Sequence, residues 1–226
     1  MHGLRSFCIA SCLLGIAHAS WAGVIVGGTR VVYDGSRNEA SISVRNPEKT
    51  TPYLIQSWVD NLSPADGRKT PFIMTPPLFR LDAGQENALR VIRTGGTLPD
   101  DQESVFWVNI KSIPSSKKTD ANQLQIATRT QIKLFYRPAN LPGSAGEAYK
   151  SLKFSRSGHQ LLVNNPTAYH VSFHRLSVGD QEIENAGMVA PKSTLAWPLP
   201  EGATGSVSWQ SINDFGGISS AINAPL

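Results

Sequence analysis

His170 and His174 stand four residues apart, the spacing at which two imidazoles on one helical face can share a metal ion. Their setting, AYHVSFHRL, is patterned for a strand, and four residues of strand span about 13 Å, too far for one ion to bridge. They are read as two imidazoles on one face of a half-exposed strand, with His159 the one other histidine nearby, and no metal is expected. A serine nucleophile would call for a Gly-x-Ser-x-Gly turn between a strand and a helix, and the chain has no such string. GSAG at 143–146 reads as linker. Glu103 is a conceivable general acid, but no second carboxylate stands beside it at a recognisable spacing, so a buried ion pair is its expected use. The chain is not expected to be an enzyme.

The elements that position these residues come after a leader. Residues 1–22 carry one basic side chain, Arg5, an apolar run from Phe7 to Ala17, and small residues at Ser20 and Ala22. That is the pattern of a secretory signal cut after Ala22, with a cut after Ala19 as the rival and a lipid anchor on Cys12 as a weaker one. Removal leaves 204 residues, enough for two sandwiches of about 100 residues each. Cys8 and Cys12 leave with the leader, so apolar cores alone must hold an exported protein together. The remaining 20 basic and 17 acidic side chains give +3, with acids and bases interspersed. Lys117-Lys118, the densest basic spot, sits among Ser and Asp as a solvated loop would, and nucleic acid is not an expected partner.

Short β-branched and aromatic runs recur between turn signals: TRVVY, ASISV, YLIQSWV, PFIMT, ALRVIR, SVFWVNI and LQIATRTQIKLFY. They predict an all-β chain whose first part is an Ig-like antiparallel sandwich of seven strands. RPANLPGSAGEA at 137–148 has turn residues and no alternation, which marks a boundary. The expected division is 1–22 leader, 23–140 first domain and 141–226 a second, smaller β-sandwich built from LKFSR, QLLVNN, YHVSFHRLSV, AWPLP and GSVSWQSI.

The last run of the first domain alternates strictly. Leu124, Ile126, Thr128, Thr130 and Ile132 share one face, and Gln125, Ala127, Arg129, Gln131 and Lys133 the other. Spacing alone describes an ordinary sandwich strand, core on one side and water on the other. Its place as the last strand of its domain makes it an expected edge, which needs a partner or a defence.

The segment LPDDQESVFWVNIKSIPS, 98–115, resembles the signature of the periplasmic chaperones of the chaperone-usher pilus pathway. Leu98, Pro99, Asp101, Gln102, Glu103, Ser104, Val105, Trp107, Asn109, Ile110, Ile113, Pro114 and Ser115 carry the match. GGTRVVYDG, TPPLFRL, QIKLFYRPANL, NNPTAYHVS and INDFGG resemble the same family, in its order along the chain.

The resemblance implies two Ig-like domains arranged as a boomerang, acting without nucleotide, metal or other cofactor. It implies fimbrial (pilus) subunits as clients, bound by donor-strand complementation in the periplasm and delivered to an outer-membrane usher. A module of the same architecture serving another exported β-rich client is the alternative. Such subunits lack a strand; the face Leu124, Ile126, Thr128, Thr130 and Ile132 would fill the open groove. Arg30 and Lys133 would hold the subunit's terminal carboxylate, and Glu103, Arg137 and Asp214 would form an interdomain ion network. Thr128 stands where relatives often carry a larger apolar residue, so it fills a subunit pocket less fully. SSKKTDANQ, 115–123, is short, which suggests the short-loop class of these chaperones. A free apolar edge also leaves self-association open. Alternation sets Lys133 on the face opposite the apolar comb. Either the lysine reaches its ligand from behind the comb, or the strand twists or bulges near Gln131.

Overall fold

The computed structural model describes residues 23–116 and 124–226. The expected leader, the Lys117-Lys118 pair and most of the loop behind the short-loop expectation lie outside the described residues.

In the first part of the chain, β1 (Ile25–Val26), β2 (Arg30–Asp34), β3 (Glu39–Arg45), β4 (Tyr53–Asn61), β5 (Phe72–Thr75), β6 (Leu78–Leu81), β7 (Glu86–Arg93), β8 (Ser104–Pro114) and β9 (Thr128–Arg137) form two sheets. One has the order β1-β3-β7-β5, the other β2-β9-β8-β4-β6. β1 and β6 add to the seven strands expected; two and four residues are too short for alternation to register. In β4 the alternation is direct: Tyr53, Ile55, Ser57 and Val59 are buried, while Leu54, Gln56 and Asp60 are exposed. The two inner faces enclose one core, with Tyr33, Phe72, Phe106 and Tyr136 packed at centroid separations of 5.0–5.9 Å. Tilted and edge-on contacts of this kind add to area burial.

A 3-10 turn at Ala148–Ser151 leads into the second part. There β10 (Lys153–Ser157), β11 (Gln160–Asn165), β12 (Val171–Val178), β13 (Gln181–Glu182), β14 (Met188–Val189), β15 (Ser193–Pro198), β16 (Val207–Ser211) and β17 (Ile222–Ala224) follow. The sheets are β10-β11-β15 and β13-β12-β16-β17, with β14 on β12. They enclose a second core around Leu161, Val163, Leu176 and Trp209. The chain is two Ig-like sandwiches, each with its own apolar core.

The expected common face for His170 and His174 is not found. The β12–β16 register shifts between Phe173 and Arg175, and His174 sits in that irregularity, exposed. A bulge re-aims the side chains beyond it. His170 precedes β12 and turns inward, its side chain 6% exposed.

Candidate functional site

β9 has two kinds of neighbour. β8 pairs with it antiparallel from Thr128 to Tyr136, whereas β2 lies parallel on its other side only from Lys133 to Arg137. Between Thr128 and Ile132 that second side carries no strand among the described residues, so a row of backbone donors and acceptors is open to an added one.

The expected comb is only partly on this strand. β9 begins at Thr128, so Leu124 and Ile126 precede it, 89% and 66% exposed. Continuing the register puts residue 126 opposite Pro114, the last residue of β8, and proline has no amide hydrogen for a ladder. The start of β9 is marked by Ser112 and Thr128, whose hydroxyls lie 2.7 Å apart. Thr128 and Thr130 are exposed. Ile132 is not available to fill a groove: it is 8% exposed and belongs to the first domain's own core. The face that leaves the sandwich as a free comb at Leu124 has become core by Ile132.

Lys133 needs no bulge to be placed. The register against β8 is continuous from Thr128 to Tyr136, so Lys133 keeps to the face of Phe135 and Arg137, opposite the comb. Phe135 and Arg137 line a cavity of about 430 Å³ between the domains, together with Arg30, Glu103, His170 and Asp214.

Arg30, the first residue of β2, is the cross-strand neighbour of Lys133. Its guanidinium donates to the Ile212 carbonyl at 3.1 Å and lies over the Phe135 ring, 5.6 Å from the centroid. Burial lowers the affinity of both side chains for their protons. For Arg30 the charge of Asp214 acts in the opposite sense; for Lys133 the neighbouring Arg30 charge adds to the lowering. Two like charges, partly desolvated and side by side, are stabilised by an anion between them. A carboxylate suits both, the planar guanidinium as a fork and the ammonium as a point charge.

Glu103, Arg137 and Asp214 meet where the domains adjoin. Arg137 donates to Glu103 at 2.7 Å and to both oxygens of Asp214 at 2.8 and 3.0 Å. Its ring neighbour is Tyr169, 5.4 Å away. Burial alone would lower the Arg137 pKa, but the hydrogen bonds to Asp214 and the charge of Glu103 raise it above the ordinary arginine value. Glu103 is buried at 3% exposure and accepts the His170 amide at 2.8 Å, and its own amide donates to the Ala168 carbonyl at 2.9 Å. An exposed pair, Lys192 with Asp101, lies on the same seam. Ala168 and Ile212 have no assigned role in the sequence, and His170 is read there only as half of a histidine pair; each lies in a segment that carries the resemblance, NNPTAYHVS or INDFGG. Ala168 and Ile212 take part through the backbone, and His170 through its amide and its ring, whose Nδ1 lies 3.4 Å from Glu103.

No cluster of three or more metal-ligating side chains occurs among the described residues. The site offers a strand edge, an apolar comb and a pair of cations.

Residues 23–142 match the pili and flagellar-assembly chaperone family, PapD N-terminal domain, and residues 147–222 the pili assembly chaperone PapD, C-terminal domain. The chain belongs to the PapD family of pilus-assembly chaperones. It is 52% identical over 199 residues to the probable fimbrial chaperone LpfB of Escherichia coli O157:H7, covering 86% of this chain and 84% of that one. With the chaperone protein LpfB of Salmonella typhimurium the identity is 48%, over 92% of both chains. Among solved PapD-like structures, a chain of the Salmonella enterica SafA pilin–SafB chaperone complex superposes with a TM-score of 0.83 at 33% identity, covering 92% of this chain and 99% of that one. The Escherichia coli chaperone DraB gives 0.81 at 35%, covering 90% and 98%. PapD-family pilus chaperones are non-enzymatic folding and assembly chaperones.

Proposed function

We propose that the protein is exported by cleavage of residues 1–22 and works in the periplasm as a fimbrial-subunit chaperone, with domains spanning 23–140 and 141–226. It completes a subunit that lacks a strand and hands it to an outer-membrane usher. The observation that carries this reading is the open edge Thr128–Ile132, which ends where Arg30 meets Lys133. β2 occupies the next place along β9, so an added strand must stop or turn away there. A chain that stops presents a carboxylate to two half-desolvated cations.

Leu124 and Ile126, extending from the start of that edge, enter the subunit's groove while main-chain hydrogen bonds satisfy two edges at once. Because both side chains are largely in water beforehand, each contributes roughly 1.5–3 kcal/mol on full burial. SafB is a chaperone held in complex with a pilin, which supports the same kind of client for this chain.

The test is co-purification from the periplasm with fimbrial subunits. The unaltered chain is expected to retain its subunit; Lys133→Ala, and Leu124 and Ile126 changed together to Asp, are expected to lose it. Retention by both variants would overturn the proposal.

A further inference from the structure

Phe215 is 97% exposed, the most exposed large apolar side chain among the described residues. It is not on a slack loop. The Asn213 carboxamide oxygen accepts the amides of Phe215 and Gly217 at 3.0 and 2.9 Å, and the Asn213 amide donates to the Gly217 carbonyl at 2.8 Å. Ile212 and Ile218 close the turn as a bridge. Gly216 has φ +82°, and a Cβ there would come within 2.6 Å of Thr29 Oγ1, so the turn is pressed against the residue before Arg30. The Arg30 guanidinium holds the same turn through the Ile212 carbonyl.

Phe215 and Arg30 therefore line one cavity and are positioned by one set of contacts. An aromatic ring carried into water on a hydrogen-bonded turn, lining the same cavity as a carboxylate-binding cation, lacks a partner surface, and with two side-chain torsions to fix its ordering cost on binding is small. From this geometry we infer that Phe215 packs against an apolar side chain at the very end of the bound subunit, next to the carboxylate on Arg30 and Lys133. This rests on the carboxylate reading above and extends it: the cleft reads a side chain as well as a chain end. The strand that ends at Lys133 is the occupant because it brings its last residues to this cavity, whereas the comb lies on the opposite face of β9.

The experiment uses the full chain and the subunit that it captures from the periplasm. Affinity is measured for Phe215→Ala, Phe215→Tyr and Arg30→Ala against that subunit and against subunit forms with each of the last three side chains truncated to Ala. Phe215→Ala is expected to weaken binding about ten-fold or more, Phe215→Tyr to bind normally, and the loss to vanish for one truncated form. Weakening of less than two-fold, or equal weakening for every subunit form, would overturn the inference. So would an effect confined to self-association in sedimentation, which would assign the ring to a second copy of this chain. If Arg30→Ala also binds normally, the carboxylate reading has failed; if only Phe215→Ala does, that reading stands and this one falls. Unchanged thermal unfolding of Phe215→Ala serves as the folding control, since the ring contacts almost nothing.

Discussion

Arg137→Ala and Asp214→Ala separate what the seam contributes to stability from what it contributes to geometry. Arg137 and Glu103 sit in the first domain, Asp214 in the second. Removing Arg137 strands the Glu103 carboxylate, whose side chain is 2% exposed, with the His170 amide at 2.8 Å and the His170 ring nitrogen at 3.4 Å as its remaining polar neighbours. Breaking a buried pair costs about 3–5 kcal/mol; Arg137 and Asp214 are 23% and 34% exposed, and water entering from their side brings the expected cost to about 2–3 kcal/mol. Removing Asp214 instead leaves Arg137 paired with Glu103, and the loss of a half-exposed partner costs about 1 kcal/mol or less. Both substitutions cut the side-chain bridge from the first domain to Asp214, so both are expected to widen the interdomain angle. Urea unfolding measures the first effect and small-angle scattering the second. Arg137→Ala should lower the unfolding midpoint and raise the radius of gyration; Asp214→Ala should raise the radius with little change in midpoint. Adding Glu103→Gln to Arg137→Ala should recover stability, because a neutral amide needs no counter-charge. Equal destabilisation by the two single substitutions without recovery in the double variant, or an unchanged scattering profile in both, would show that the seam does not hold the domains in this way.

Ile132→Ala is expected to destabilise the first domain by about 2–4 kcal/mol in urea unfolding, whereas Leu124→Asp, at a nearly free position, should stay within about 0.5 kcal/mol while losing the subunit. Subunit affinity should fall on raising the pH through a range below the ordinary lysine value of about 10.4, because burial and Arg30 lower the Lys133 pKa in the free chain. A bound carboxylate raises it again, so binding takes up a proton in that range, and Lys133→Arg should flatten the pH profile measured by titration calorimetry. Gly216→Ala should shift the Phe215 turn and weaken subunit capture without unfolding the second domain, because the new methyl meets Thr29 while the glycine lies outside the core.

Period-two alternation made the long strands legible, β4 and β8 above all, because each buries one face for most of its length. It misplaced the start of β9 for a physical reason. LQIA continues the rhythm of TRTQIKLFY, but a strand also needs a hydrogen-bonded neighbour, and β8 runs out at Pro114. Alternation likewise assigns a face and not a depth: Leu124 and Ile132 have the same parity, yet one is free and the other is core. The His170–His174 pair failed at a one-residue irregularity that no local pattern announces. The partners of Arg137 came from family resemblance alone, since 77 residues of chain separate it from Asp214.

The two faces of β9 and its two neighbours also fix the direction of the strand that it would accept. Suppose the partner's terminal carboxylate lies on Arg30 and Lys133 while its groove receives Leu124 and Ile126. Its chain then runs from the 124 end of the edge toward the 133 end, the direction in which β9 itself runs. The added strand is parallel to β9, as β2 is, and it lies in line with β2, ending at that strand's first residue. Parallel ladders are slightly weaker per residue than antiparallel ones. The added strand therefore gains less from its hydrogen bonds and relies more on the comb and the cation pair. That balance suits a client that must later be released to a better-packed strand, since removing either side-chain contribution leaves a pairing that is easy to displace.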